Sequence, residues 1–101
     1  MSSTYENTPF KINKAAQQFE MEVEGATAFI EFSTKDDKVY LTHTEVPEAL
    51  NGKGIGSAIV KKTLEYIKDN HLTVVPSCSF VAHYIDTHPE WHSLLSEGYQ
   101  M

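Results

Sequence analysis

Two groups of residues in this 101-residue chain have types and spacings that could do chemistry. The first is Asn51-Gly52-Lys53-Gly54-Ile55-Gly56-Ser57, set between a β-like run and an amphipathic helical pattern. Glycines let a backbone approach an anion closely, and the first turn of a helix aims unpaired N–H groups and a positive dipole end at it. The stretch is suited to holding a phosphate, with Lys53 as a mobile point charge beside the backbone donors. Taken alone, the same residues serve equally well as an ordinary glycine turn before a helix. The second group is Cys78 with His43. Cys78 follows an apolar run and precedes a helical pattern, where a helix dipole lowers a thiol pKa. His43, near the end of an adjacent strand, is of the type to act as its base, a Cys–His arrangement for nucleophilic catalysis. The plainer reading is that a lone cysteine is a small core hydrophobe.

Other candidates are weaker. His88 and His92 stand four apart, one helical turn, with His83 nearby. No carboxylate or thiol joins them at a familiar zinc spacing, and Pro89 disturbs the helix, so capping or solvated histidines are expected and no metal. A Gly-Lys-Ser/Thr phosphate loop is absent, because Lys53 precedes Gly54, which weakens a plain nucleotide-binding reading. The net charge is −6, and the eight basic residues are all lysines spread along the chain. Without arginine forks or a basic stripe, nucleic acid is excluded as a ligand class. An acidic surface suits a cationic partner such as an amine. One cysteine, no long apolar run and no basic-then-apolar leader lead to the expectation of a cytoplasmic protein that does not cross a membrane.

The elements that would position these residues can be read from periodicity. At this length a single domain spanning 1–101 is expected, with residues 1–9 a loose lead-in. Phe10–Asn13 reads as a short edge strand. Phe19–Glu24 alternates apolar with acidic residues, the signature of a strand with one wet face. Ala28–Phe32 follows as its hairpin partner, and Val39–Val46 as a third long strand after the charged turn 35–38. From Ile55 to Ile67 apolar residues recur at helical spacing. Leu72–Val75 reads as a wholly apolar strand of the mid-sheet kind, joined to 39–46 by a parallel crossover. A helical region at 80–96 is expected to split where Thr87-His88-Pro89-Glu90 matches a capping box. The fold class is α+β: antiparallel strands, a strand–helix–strand crossover and a C-terminal helical region on a mixed sheet.

The run Val39–Ser57, followed by Pro76-Ser77-Cys78-Ser79 and Pro89-x-Trp91, resembles the GNAT superfamily of acyl-CoA-dependent N-acyltransferases, and within it the minimal single-domain branch. The glycines of 51–56 match that superfamily's Gln/Arg-x-x-Gly-x-Gly/Ala signature, with Asn51 in place of the usual Gln or Arg. The likeness covers roughly residues 20–95. It departs in having only a connection at Asn13–Gln18 where larger members place two helices, and in having six residues after Leu95. The acyl-CoA half is therefore expected to be complete and the acceptor half truncated.

The resemblance carries specific implications for the site. Acetyl-CoA, the implied cofactor, would lie where the fourth and fifth strands splay, with its pyrophosphate on Asn51, Gly52, Lys53, Gly54, Ile55, Gly56 and Ser57. Its pantetheine arm would bond the strand end at Thr44, Glu45 and Val46, and the Val46 N–H would polarise the thioester carbonyl. Cys78 would face the thioester, with His43 as base; Tyr84 stands near the family's position for a tyrosine on the leaving thiolate, although a half-buried packing role fits it equally. The usual strand-four carboxylate position falls near Tyr40, so Glu45 or His43, which share one strand face, would substitute in direct transfer. The implied function is N-acetylation of an unidentified amine or protein acceptor. The alternative is a non-catalytic CoA-binding sensor or accessory module acting with a partner protein.

Overall fold

Alternating apolar and polar residues along the first half of the chain give four antiparallel strands in succession: β1 (Phe10–Asn13), β2 (Gln18–Val23), β3 (Ala26–Lys35) and β4 (Lys38–Glu45). The computed structural model describes residues 8–50, 52 and 54–95. Val23 pairs with Ala26 and Lys35 with Lys38 across two-residue turns, Glu24-Gly25 and Asp36-Asp37, whose residues all have positive φ. Such turns match the right-handed twist of the strands they join. A 3-10 turn at Glu48–Leu50 leads to helix α1 (Ile55–Asp69), then β5 (Thr73–Pro76), helix α2 (Ser79–Asp86) and a 3-10 helix at Pro89–Leu94. The sheet order is β1-β2-β3-β4-β5, and only β4 and β5 run parallel.

One face of the sheet is covered. Phe19, Met21, Ala28, Ile30, Val39 and Leu41 are buried in the same cluster as Ile55, Ile59, Val60, Leu64 and Ile67 of α1. Val81 and Ile85 of α2 and Trp91 and Leu94 of the 3-10 helix extend that cluster toward β5. Strand alternation turns Glu20, Glu22, Thr27 and Phe29 to the other face, which no helix covers among the described residues. No described helix is long and apolar enough to cross a membrane.

Two expectations change. The apolar strand after α1 stands at the end of the sheet order rather than in its middle. Its Val74 and Pro76 are buried all the same, because helices and the lone bridge from Val74 to Leu95 cover it. The capping box at Thr87 does not form. The Thr87 hydroxyl donates back to the carbonyls of His83 and Tyr84, each at 3.1 Å, and so closes α2 instead of opening the next helix. The next element is a 3-10 helix, with Pro89 in its first turn.

Two features of β4 set the positions of the candidate site residues. Glu31 pairs with His43 and Phe32 with Leu41, so β4 carries one extra residue, Thr42, opposite β3. A bulge of this kind exchanges the faces of the strand. Before it Val39 and Leu41 point into the core; after it Thr44, paired with buried Ile30, takes the core side, and His43 and Glu45 take the open side. The second feature is where pairing ends. β5 accompanies β4 only from Lys38 to Leu41, and the edge of β4 beyond Leu41 has no strand beside it there.

Within α1, Thr63 is fully buried and its hydroxyl has no hydrogen-bond partner among the described residues. An unpaired buried hydroxyl costs on the order of 1–3 kcal/mol, and valine fills the same volume with equal helix propensity. Thr63→Val is expected to raise stability by about 1 kcal/mol in urea denaturation; a loss of stability would show that the hydroxyl is satisfied.

Candidate active site

The divergence of β4 and β5 opens a groove of about 430 Å³ lined by Thr44, Val46, Leu50, Gly52, Gly54, Ile55, Gly56, Ser57 and Phe80. Two backbone stretches border it. Along one wall runs the unpaired edge of β4. At one end stands the N-terminus of α1, entered through Gly54 in a left-handed conformation, φ 74° and ψ 15°. That conformation costs a side-chain-bearing residue energy and costs glycine little. Ala58 N–H donates to the Gly54 carbonyl at 3.1 Å, so the amides of Ile55, Gly56 and Ser57 form the first turn, and no side-chain cap is present there among the described residues. The first-turn amides stand at the positive end of a fifteen-residue helix, where the backbone suits negative charge. Asn51 and Lys53, the two remaining members of the expected phosphate loop, lie outside the described residues.

Cys78 stands at the apex of the fork. Its N–H donates to the Leu41 carbonyl at 2.8 Å, the last link between the two strands, and it occupies the N-cap of α2. Its Sγ lies 3.4 Å from the Thr44 Oγ1, so the thiol is held against the β4 wall of the groove. Burial pushes the thiol pKa up, but the Thr44 hydroxyl and the backbone donors around Val81, Phe80 and Thr44 outweigh it and hold it below the usual thiol range. The thiolate is thus stabilised by neutral hydrogen-bond donors at a helix start, as the sequence suggested from the dipole alone.

His43 is not the partner of Cys78. The bulge at Thr42 puts Thr44 on the thiol's side and sends His43 to the open face, where its Nε2 meets Glu45 Oε1 at 3.1 Å. The expectation that His43 and Glu45 share a face therefore agrees with the structure, whereas the Cys78–His43 pair is not formed. Phe29 lies beside the His43 ring, with centroids 6.3 Å apart. Glu45, expected to line the cofactor groove, turns its side chain to the open face and is not among the groove's lining residues.

Tyr84 is also placed elsewhere. It is buried in the core cluster, its ring stacked on His88 at 4.0 Å, and its hydroxyl lies by Trp91. Burial raises its pKa, partly opposed by the Trp91 contact and reinforced by Glu90 and Glu65. Six residues beyond Cys78, it faces another side of α2, and the groove does not include it. His88 Nδ1 and His92 Nε2 contact the carbonyls of Tyr84 and Ile85 at 2.7 and 3.0 Å, so these histidines close the C-terminal end of α2. No group of three metal-ligating side chains occurs among the described residues.

Sequence reasoning passed over Leu50 and Phe80, which form apolar walls of the groove. Leu50 sits in the 3-10 turn just before the glycines, and no periodicity marks so short an element. Phe80 follows Cys78 by two residues, and nothing in the chain signals that its ring turns toward α1.

Comparison with known proteins agrees with this arrangement. A sequence model of the GCN5-related N-acetyl-transferase family matches residues 18–94. Among curated proteins, Protein NATD1 of Gallus gallus and of Mus musculus are each 33% identical over 51 residues, covering 50% of this chain and 46% of theirs. Protein NATD1 of Homo sapiens is 33% identical over 51 residues, covering 50% of this chain and 45% of its own. The match thus spans about half the length of these relatives. A GCN5-like protein of Staphylococcus aureus, solved in solution, superposes with a TM-score of 0.68 at 24% identity, covering 94% of this chain and 97% of that one. It shares the fold.

Because the Cys78 thiol is held below the usual range by Thr44 and the α2 amides, its alkylation by iodoacetamide is expected to reach half-maximal rate at a pH below that of a free cysteine. Thr44→Val removes the hydroxyl that stabilises the thiolate, and so moves that midpoint to higher pH and slows alkylation at neutral pH several-fold. An unchanged midpoint would mean that the hydroxyl plays no part.

Proposed function

The chain belongs to the GCN5-related N-acetyltransferase family, and from that premise we propose that it transfers an acetyl group from acetyl-CoA to an amine, with Cys78 as the first acceptor. The observation that carries this reading is the fork between β4 and β5, with the N-terminus of α1 at one end and, at its apex, Cys78 bonded to the Leu41 carbonyl with its thiol against Thr44. The groove's donor set fits such a substrate. The amides of Ile55, Gly56 and Ser57 suit the pyrophosphate, and the unpaired edge at Thr44–Val46 suits an extended arm that makes strand-like bonds. The apolar walls Val46, Leu50 and Phe80 suit its alkyl segments.

In this reading the Cys78 thiolate attacks the thioester carbonyl. The new S–C bond forms as the bond to CoA sulfur breaks, and the CoA thiolate leaves and takes a proton from water. The Val46 N–H is assigned to the developing oxyanion. A neutral amine then attacks the S-acetyl group of Cys78; the N–C bond forms, the Cys78 S–C bond breaks, and the thiolate returns. The proton leaving the amine passes to water, because His43 and Glu45 stand on the opposite face of the sheet from the thiol. The net charge of −6 favours an acceptor that arrives as a cation.

Two measurements test this. Intact-mass spectrometry after incubation with acetyl-CoA is expected to show one added acetyl group on the wild type and none on Cys78→Ala. Binding of CoA by Cys78→Ala without any adduct on the wild type would instead support direct transfer or a non-catalytic CoA-binding role. Ser57→Glu places a carboxylate at the third helical position, where glutamate favours the helix but repels a phosphate. The variant is expected to melt no lower than the wild type and to bind CoA at least about tenfold more weakly in calorimetry. Unchanged affinity would remove the phosphate from the N-terminus of α1.

A further inference from the structure

The three groove glycines do not share one reason for being glycine. Gly52 and Gly54 have φ of 78° and 74°, which few other residues adopt, and a Cβ on either would meet nothing within 4 Å. Gly56 has no such backbone demand. Instead, a Cβ built on it would lie 2.7 Å from Cζ and 3.1 Å from Cε2 of Phe80. All three nearest atoms belong to that ring. Phe80 is also the one large hydrophobic side chain, among the described residues, that stands exposed (43%). It bridges the first turns of α2 and α1 across the mouth of the groove, on the same groove surface as Val46 and Leu50.

We propose that Phe80 is a positioning residue for the pantetheine arm, and that Gly56 is small in order to seat its ring rather than to admit a phosphate. This rests on the reading that the groove takes acetyl-CoA. An aromatic face beside Val46 and Leu50 offers nothing to a phosphate and complements the methylene and methyl surface of an alkyl arm. Held on Gly56, the ring has little freedom to lose when the arm is laid between it and the edge of β4. Preorganisation of this kind raises affinity by lowering the ordering cost of binding. The nucleotide half of CoA, by contrast, would depend on the α1 amides and not on the ring.

The test compares CoA with 3′-phospho-ADP, its nucleotide half, as ligands of the wild type, Phe80→Ala, Gly56→Ala and the double variant, by calorimetry. Phe80→Ala is expected to weaken CoA binding about tenfold and 3′-phospho-ADP binding less than about twofold. Gly56→Ala displaces the free tip of a side chain and not the backbone, so the protein should fold. It is expected to weaken CoA about tenfold in the wild-type background and less than about twofold once Phe80 is alanine. Phe80→Leu, which removes the ring and keeps an apolar stem, supplies the same comparison if Phe80→Ala does not fold. Equal losses for CoA and 3′-phospho-ADP on ring removal would overturn the proposal. So would a Gly56→Ala penalty that is the same with and without the ring, because the glycine would then serve the phosphate directly. A wild type that binds neither ligand would overturn the acyl-CoA reading itself, and the role of Phe80 with it.

Discussion

A strand that carries one more residue than its neighbour must exchange its faces at that point, and β4 does so at Thr42. The consequences reach every candidate group. Leu41, just before the bulge, still packs in the core and accepts the Cys78 N–H. Thr44, two residues beyond, faces the helices and touches the thiol, while His43 and Glu45 pair on the uncovered side. Without the extra residue, the imidazole would point at the groove and the hydroxyl away from it. The sheet therefore acts as a partition, with a thiol and a helix N-terminus on one side and a carboxylate–imidazole pair on the other.

The partition is reinforced by how the two strands part. Parallel pairing stops at Leu41 and Pro76, and Cys78 closes the fork with one backbone bond. Beyond that bond β4 keeps its β3 partner, while its other edge has no strand beside it among the described residues. An edge of this kind is ordinarily an invitation to another strand. Here the N-termini of α1 and α2 converge on it, and they add donors and a favourable potential for negative charge. The same donors act on Cys78 with opposite sign to burial, and they prevail. Backbone dipoles thus supply a local positive potential that the scattered lysines of an acidic chain do not.

Much of this was legible in the chain. The four antiparallel strands, α1 and the end of α1 at Asn70-His71 emerge from periodicity, because amphipathic alternation is written directly in residue type. The glycine stretch before Ile55 marked the start of α1, because Gly54 is needed for a left-handed N-cap. Other features were not read correctly, for physical reasons. The bulge had a trace: apolar residues occupy odd positions at Val39 and Leu41, and the polar residues His43 and Glu45 continue that parity while Val46 breaks it. Adjacency of the two strand ends alone brings His43 toward Cys78 and ignores that change of face. Tyr84 was placed by counting along a helix, which says nothing of which side of the helix faces the groove. Thr87 had the residue types of a capping box, but its hydroxyl found the unsatisfied carbonyls of α2 nearer than the amides ahead. Phe80 left no trace, because its contact with Gly56 is purely tertiary.

The uncovered sheet face has a bearing on how such a protein can change over time. Glu22, Glu31, His43 and Glu45 are exposed, and their side chains take no part in the buried cluster that holds the sheet to α1. Substitutions at surface positions of this sort shift stability by only about half a kcal/mol. The residues that face the helices, such as Ile30 and Leu41, have no such latitude. Alternation along each strand thus separates, residue by residue, positions whose side chains the core needs from positions it does not.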